Sequence, residues 1–267
     1  MKNEKEKLYS FYFSNPSEGI IERKLLNVKL RYFYFDNQLI VQTGPREIIN
    51  GCLLLGNCKA EFEEYTYQLG KFDIFFLPPM KSMKIKVKES NMSKICLMHS
   101  FIETEIKAKF ELKKFDLDNF LPRGLHSSSN LMSTFRTVWT AIKNGYFMSG
   151  FTNVPQRSLK EGTITSVNLE KNPDGRDEIY AHIHPDYPEV YIACVDDEKY
   201  AMTQYLINQE GDSVSRDLTD GEGVFFPGEY GHSNFTRPTY KNLKYCMYLW
   251  MIPTFGKSTT VDPITLK

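Results

Sequence analysis

Net charge is missing from this sequence: 33 Lys and Arg balance 33 Asp and Glu over 267 residues. No global field draws the chain toward nucleic acid or an anionic membrane, and neither a helix-turn-helix pattern nor a basic stretch offers a local substitute. Long apolar runs are missing too. Cys52-Leu-Leu-Leu is far too short to span a bilayer, and the opening Met1-Lys-Asn-Glu-Lys-Glu-Lys mixes both charge signs without leading into a signal-length apolar stretch. The expectation is a cytoplasmic protein with a small-molecule partner, no nucleic acid and no membrane. Cysteine is sparse: five residues, at 52, 58, 96, 194 and 246, form no Cys-x-x-Cys pair. That pattern argues against a disulfide framework and a thiolate zinc site, and the cysteines read as buried small hydrophobes.

What is present is mostly strand. Short runs rich in Tyr, Phe, Val and Ile recur between turn clusters, as in Leu30-Arg-Tyr-Phe-Tyr-Phe, Phe72-Asp-Ile-Phe-Phe-Leu, Met83-Lys-Ile-Lys-Val and Gly223-Val-Phe-Phe. This is an all-β pattern of sandwich or barrel type. One stretch departs from it. From Asn130 to Asn144, Leu131, Phe135, Val138, Trp139 and Ile142 recur at helical spacing behind a Ser127-Ser-Ser cluster suited to capping, which predicts a helix. The chain then divides into a β region over 1–115, a linker with a helix over 116–149, and a second β region over 150–267. Asp73-Ile-Phe-Phe-Leu-Pro-Pro in the first resembles Gly223-Val-Phe-Phe-Pro-Gly in the second, which suggests two tandem barrels produced by internal duplication.

Three of only five histidines gather in two short segments of the second region. In Tyr180-Ala-His182-Ile-His184, residues two apart on a strand face the same side, so His182 and His184 project together. Pro185-Asp-Tyr-Pro188 cannot extend a regular strand; the chain should turn there and return near Glu189, bringing that carboxylate back toward the two imidazoles. A glycine-containing turn, Pro227-Gly-Glu-Tyr-Gly, delivers His232 at the start of another strand. His182, His184, Glu189 and His232 thus form a candidate set of divalent-metal ligands. Imidazole nitrogen and carboxylate oxygen suit Zn, Fe, Mn, Ni or Co, and the lack of thiolates points to a catalytic ion.

At these residues the chain resembles the cupin superfamily. The His-x-His followed by Glu matches the first cupin motif, and Gly221, Pro227 and His232 keep the spacing of the second. Glu229 stands where a motif glycine is usual, and Asp196 where the first motif closes on Gly. Within cupins the chain is similar to the uronate isomerases, the family of 4-deoxy-5-ketouronate isomerase and 5-deoxyglucuronate isomerase. The similarity runs from Met148-Ser-Gly-Phe-Thr to about Gly256, although Pro185-Asp-Tyr-Pro188 replaces the Asp-Arg-Arg usual in the ketouronate branch. The resemblance implies a bicupin of two tandem β-barrels of jelly-roll type, a metal-free cupin first and a metal-binding one second, one divalent ion per chain with zinc foremost, and self-association into a homo-oligomer. The position five after Pro78, equivalent to His232 after Pro227, is Met83, consistent with a first barrel that binds no metal.

The activity implied is metal-dependent aldose–ketose isomerisation of a sugar acid such as 5-dehydro-4-deoxy-D-glucuronate. An Fe(II) dioxygenase and a non-catalytic sugar-binding cupin are the alternatives. Candidates for handling protons are Glu189, Tyr191 and Tyr230, with Asp186 and Glu229 beside them. Arg176 and Arg237 could pair with a carboxylate, and Lys160 and Glu161 precede the Thr163-Ile-Thr-Ser-Val strand, yet residues of these types are more often surface charges. His99 and His126 have no companions and receive no role.

Overall fold

The computed structural model describes residues 4–16, 19–88, 92–116, 138–153, 181–196, 202–236, 245–257, 262–263 and 266–267. They form two β-barrels, each a pair of antiparallel sheets. In spatial order the first barrel's larger sheet runs Glu111–Lys113, Ile74–Leu77, Glu47–Leu55, Ser93–Phe101, Val28–Phe35, Ile20–Leu25. Its smaller sheet runs Tyr65–Leu69, Cys58–Phe62, Ser82–Val87, Gln38–Gln42.

The second barrel repeats this order strand for strand. Its larger sheet runs Tyr12–Phe13, Gly223–Phe226, Glu189–Val195, Cys246–Pro253, Phe147–Asn153, Val138–Lys143. Its smaller sheet runs Ser213–Leu218, Met202–Ile207, Gly231–Thr236, His182–Ile183, with Asp262–Pro263 added at the edge. The two aromatic segments alike in sequence, Ile74–Leu77 and Gly223–Phe226, hold the same place in the two barrels. The two barrels thus share topology and register.

Strand alternation sorts the side chains into three cores. Val41, Ala60, Phe62, Phe75, Met83 and Ile85 belong to the interior of the first barrel. Tyr191, Ala193, Met202, Leu206, Val224 and Phe226 fill the second. Between them the two larger sheets pack face to face through Leu30, Tyr32, Cys52 and Met98 on one side and Val190, Ile192, Phe225 and Leu249 on the other. Each large apolar side chain buried there contributes roughly 1.5–3 kcal/mol, so the shared layer ties the barrels into one folding unit. It also explains why Glu189–Val195 is buried at every position: its odd residues from Tyr191 face the barrel interior and its even residues face the other barrel. All five cysteines are buried and free, as their scatter suggested.

Two features differ from expectation. The helix expected over Asn130–Asn144 is absent where it can be described: Val138–Lys143 is a strand, paired with Phe147–Asn153, while residues 130–137 lie outside the described residues. Its apolar residues satisfy a helical spacing, but Val138, Thr140 and Ile142 also alternate, and the β-branched trio pairs in the place that Ile20–Leu25 takes in the first barrel. A bulge between Thr140 and Ile142 breaks the strict alternation and hides the strand period. The second difference concerns the N-terminus. The helix Glu4–Ser10 and the strand Tyr12–Phe13 sit on the second barrel, where Tyr12 lies opposite Val224 and Phe13 opposite Gly223. That strand occupies the edge that Glu111–Lys113 closes in the first barrel. Among the described residues, no helix is long and apolar enough to cross a membrane.

Candidate metal centre

The second barrel's two sheets face each other across its interior, and each contributes polar side chains to one place. From the smaller sheet, His182 and His232 are direct cross-strand partners, with ring centroids 4.2 Å apart. His184 follows two residues on, its ring 5.3 Å from that of His182. A turn closed by the Tyr187 amide donating to the His184 carbonyl (3.1 Å) then reverses the chain across Pro185 to Pro188, as the prolines predict. The reversal starts the strand Glu189–Val195 in the opposite sheet, so the six residues from His184 to Glu189 carry the site from one sheet to the other.

One ligand nitrogen from each of His182, His184 and His232 lies within 4.8 Å of the others, close enough to share one ion. Glu189 lies beside these three: its Oε2 is 3.6 Å from His232 Nε2 and 3.9 Å from His184 Nε2. Tyr191, two residues on and on the same face, donates its hydroxyl to Glu189 Oε2 at 2.7 Å and lies 2.7 Å from His232 Nε2. Glu189 is fully buried, and its Oε1 has no hydrogen-bond partner among the described residues. Burial holds this carboxyl well above the ordinary carboxylate range, although the Tyr191 hydrogen bond works in the other direction.

This donor set fits a divalent cation. A buried carboxylate needs a positive charge beside it, three imidazoles offer nitrogen donors, and Glu189 Oε1 is an acceptor with no hydrogen-bond partner among the described residues. Gly228 keeps the parts in register. A Cβ at that position would overlap the carbonyl oxygens of His184 and Tyr187 and the Tyr187 amide, so only glycine lets the Pro227 loop lie against the His184–Tyr187 turn.

The other candidates fall in different places. Tyr230 is buried, but its ring packs on Phe11 at 5.1 Å and lies under the Lys7 ammonium, whose pKa it raises by hydrogen bonding. Its carbonyl faces His232 Nδ1 at 3.4 Å, which makes it a support for that ring. Asp186 and Glu229 are exposed. His99 lies in the first barrel, 2.6 Å from Glu47 through Nδ1. Arg176, Arg237, Lys160, Glu161 and His126 lie outside the described residues.

Register fixes the counterpart of each site residue in the first barrel. Val41 pairs with Met83 as His182 pairs with His232, and Ile49 pairs with Leu77 as Glu189 pairs with Phe226. Counting along the strands puts Thr43 in the place of His184 and Gly51 in the place of Tyr191. Val41, Ile49 and Met83 are buried apolar residues, and the Phe75 ring occupies the space a side chain at Gly51 would need. The same scaffold thus holds an apolar core in one copy and a polar cluster in the other.

No family model matches the chain, and no curated protein does. Solved structures do. An IolB-like protein from Salmonella typhimurium aligns with a TM-score of 0.62 at 11% identity, covering 96% of this chain and 94% of that one. AerE from Microcystis aeruginosa aligns with a TM-score of 0.55 at 10% identity, covering 91% and 98%. Bacillus subtilis oxalate decarboxylase, whose Mn(II) centres have been characterised, aligns with a TM-score of 0.51 at 11% identity, covering 94% and 78%. At these identities the likeness is one of fold: the chain has the all-β bicupin fold of two tandem barrels.

Proposed function

We propose that the second barrel is a metal-dependent isomerase site that interconverts aldose and ketose forms of a sugar acid, with 5-dehydro-4-deoxy-D-glucuronate or a related uronate as substrate. The observation that carries this reading is the placement of Tyr191. Its hydroxyl stands 2.7 Å from both a carboxyl and an imidazole beside it, and Tyr191, Glu189 and His232 are all buried. His182, His184, Glu189 and His232 would hold the ion, with zinc first among the ions these ligands suit. When bound, a divalent ion supplies Lewis-acid polarisation of a substrate carbonyl.

The chain's own residues do the rest. Isomerisation moves one proton from carbon to carbon while a carbonyl and a neighbouring hydroxyl exchange places, so no external oxidant or reductant is needed. A group that can give and take a proton at oxygen is needed. Tyr191 is such a group, its hydroxyl donating to Glu189 Oε2 and lying 2.7 Å from His232 Nε2, and it alone of the four oxygen candidates beside Glu189 reaches the cluster. Phe226 and Tyr248, packed on Tyr191 at 5.7 and 5.1 Å, hold its ring in place and exclude water from that side. The sequence resemblance to uronate isomerases, carried by the His-x-His, Glu189, Tyr191 and His232, supports the substrate class.

Proton NMR of metal-loaded protein with a small panel of uronates and deoxy-keto sugar acids tests the proposal. New resonances of the isomeric sugar acid, formed equally well without oxygen, are expected. No change in any member of the panel would overturn it.

A further inference from the structure

The interior wall that carries His232 holds another polar residue for which the isomerase site has given no role. In the strand Met202–Ile207, Met202 and Leu206 face the barrel core, so Gln204 between them faces it too. Leu206 stands directly opposite His232, and Gln204 opposite Asn234. Gln204 is therefore the diagonal neighbour of His232 on the inner surface, at a spacing long side chains can bridge. Its side chain is fully buried. The Nε2 donates to the Tyr205 carbonyl at 3.2 Å, which fixes the amide orientation, and the Oε1 has no hydrogen-bond partner among the described residues.

A buried acceptor without a donor destabilises the fold, and an apolar residue of similar size would relieve it. The first barrel shows that the scaffold accepts this change. Ala60 pairs with Ile85 there as Gln204 pairs with Asn234 here, and both Ala60 and Ile85 are fully buried apolar residues. The polar pair thus occurs in the copy that carries the histidine cluster and is replaced by an apolar pair in the copy that lacks it. With no donor for the Gln204 Oε1 among the described residues, a ligand that satisfies it brings one.

We infer that Gln204 is a specificity-determining residue, its Oε1 accepting a hydrogen bond from a hydroxyl of the bound molecule, with Asn234 lining the same subsite. The ligand class is a polyhydroxylated acid with a hydroxyl away from the reacting carbons. The inference rests on the isomerase reading for its substrate, but not for its test.

The experiment compares Co(II)-loaded wild type with Gln204→Met, a near-isosteric change, and with Gln204→Leu as a second variant. D-gluconate serves as a probe that has the hydroxyls and the acid but no carbonyl to isomerise. In the variants the gluconate Kd and the KM for the ketouronate should rise about tenfold, the effect of one hydrogen bond between uncharged groups. The kcat should change by less than about threefold, the Co(II) absorption spectrum should be unchanged, and Tm should stay level or rise. Gluconate binding and KM within twofold of wild type in either folded variant would overturn the inference. Wild type that binds gluconate without isomerising the ketouronate would sink the isomerase reading and leave the Gln204 comparison decisive. Wild type that binds neither would overturn both.

Discussion

His182 and His232 are direct partners across the smaller sheet of the second barrel, and the same pairing in the first barrel joins Val41 to Met83. One register therefore serves both to bring two imidazoles together and as a packing template. Because the sheet sets the approach of the two imidazoles, affinity for the proposed ion should depend on both. Replacing either histidine by alanine should abolish the stabilisation expected of wild type on adding Zn(II), about 2.7 kcal/mol at a hundredfold excess over Kd. Differential scanning calorimetry with and without metal measures it.

Glu189→Gln separates charge from shape. Burial favours the neutral acid in the metal-free protein, and the amide oxygen can still accept from Tyr191. Metal-free Glu189→Gln should thus be at least as stable as metal-free wild type, while its stabilisation by added metal should fall sharply. The same calorimetric comparison reads both effects.

Tyr191→Phe removes one hydroxyl and keeps the ring that packs on Phe226 and Tyr248. The variant should hold the metal and fold normally, at a loss of about 0.5–1.5 kcal/mol, yet lose roughly 10²–10⁴-fold in kcat. Steady-state kinetics beside a metal titration would show whether turnover falls while metal binding stays.

Much of the fold and site was legible in the sequence because it obeys local rules. Period-two spacing put His182 and His184 on one side, the prolines at 185 and 188 forced the turn, and that turn returned Glu189. The strand Val138–Lys143 was not legible, because a bulge breaks its alternation and its apolar residues also fit a helical period. Placement of Tyr12–Phe13 on the second barrel was also hidden, since pairing with Gly223 and Val224 depends on contacts more than two hundred residues apart. Gln204 carried a readable signal: one polar residue between inward-facing Met202 and Leu206. Nothing local showed that its oxygen would be left without a partner.

Gly228→Ala tests how the two halves of the site are held together. The new Cβ would overlap the backbone of the His184–Tyr187 turn, and backbone cannot rotate away as a side chain can. A loss of about 1–3 kcal/mol is expected, together with weaker metal binding because His184 moves. Urea denaturation and metal titration of the variant provide the two readouts.

Phe13→Ala addresses the N-terminal strand. Phe13 is buried in the layer between the barrels, 6.0 Å from Tyr32, and closes the edge beside Gly223. Its loss should lower stability by about 3–5 kcal/mol in a single cooperative transition. Unfolding monitored separately by near-ultraviolet circular dichroism and fluorescence should give coincident curves.

The central claim is that the second barrel binds a divalent ion through its histidine cluster. Elemental analysis of wild type and His184→Ala, both purified without added metal, tests it most directly. The account predicts about one transition-metal ion per chain in wild type and essentially none in the variant; metal-free wild type, or equal metal in both proteins, would contradict it.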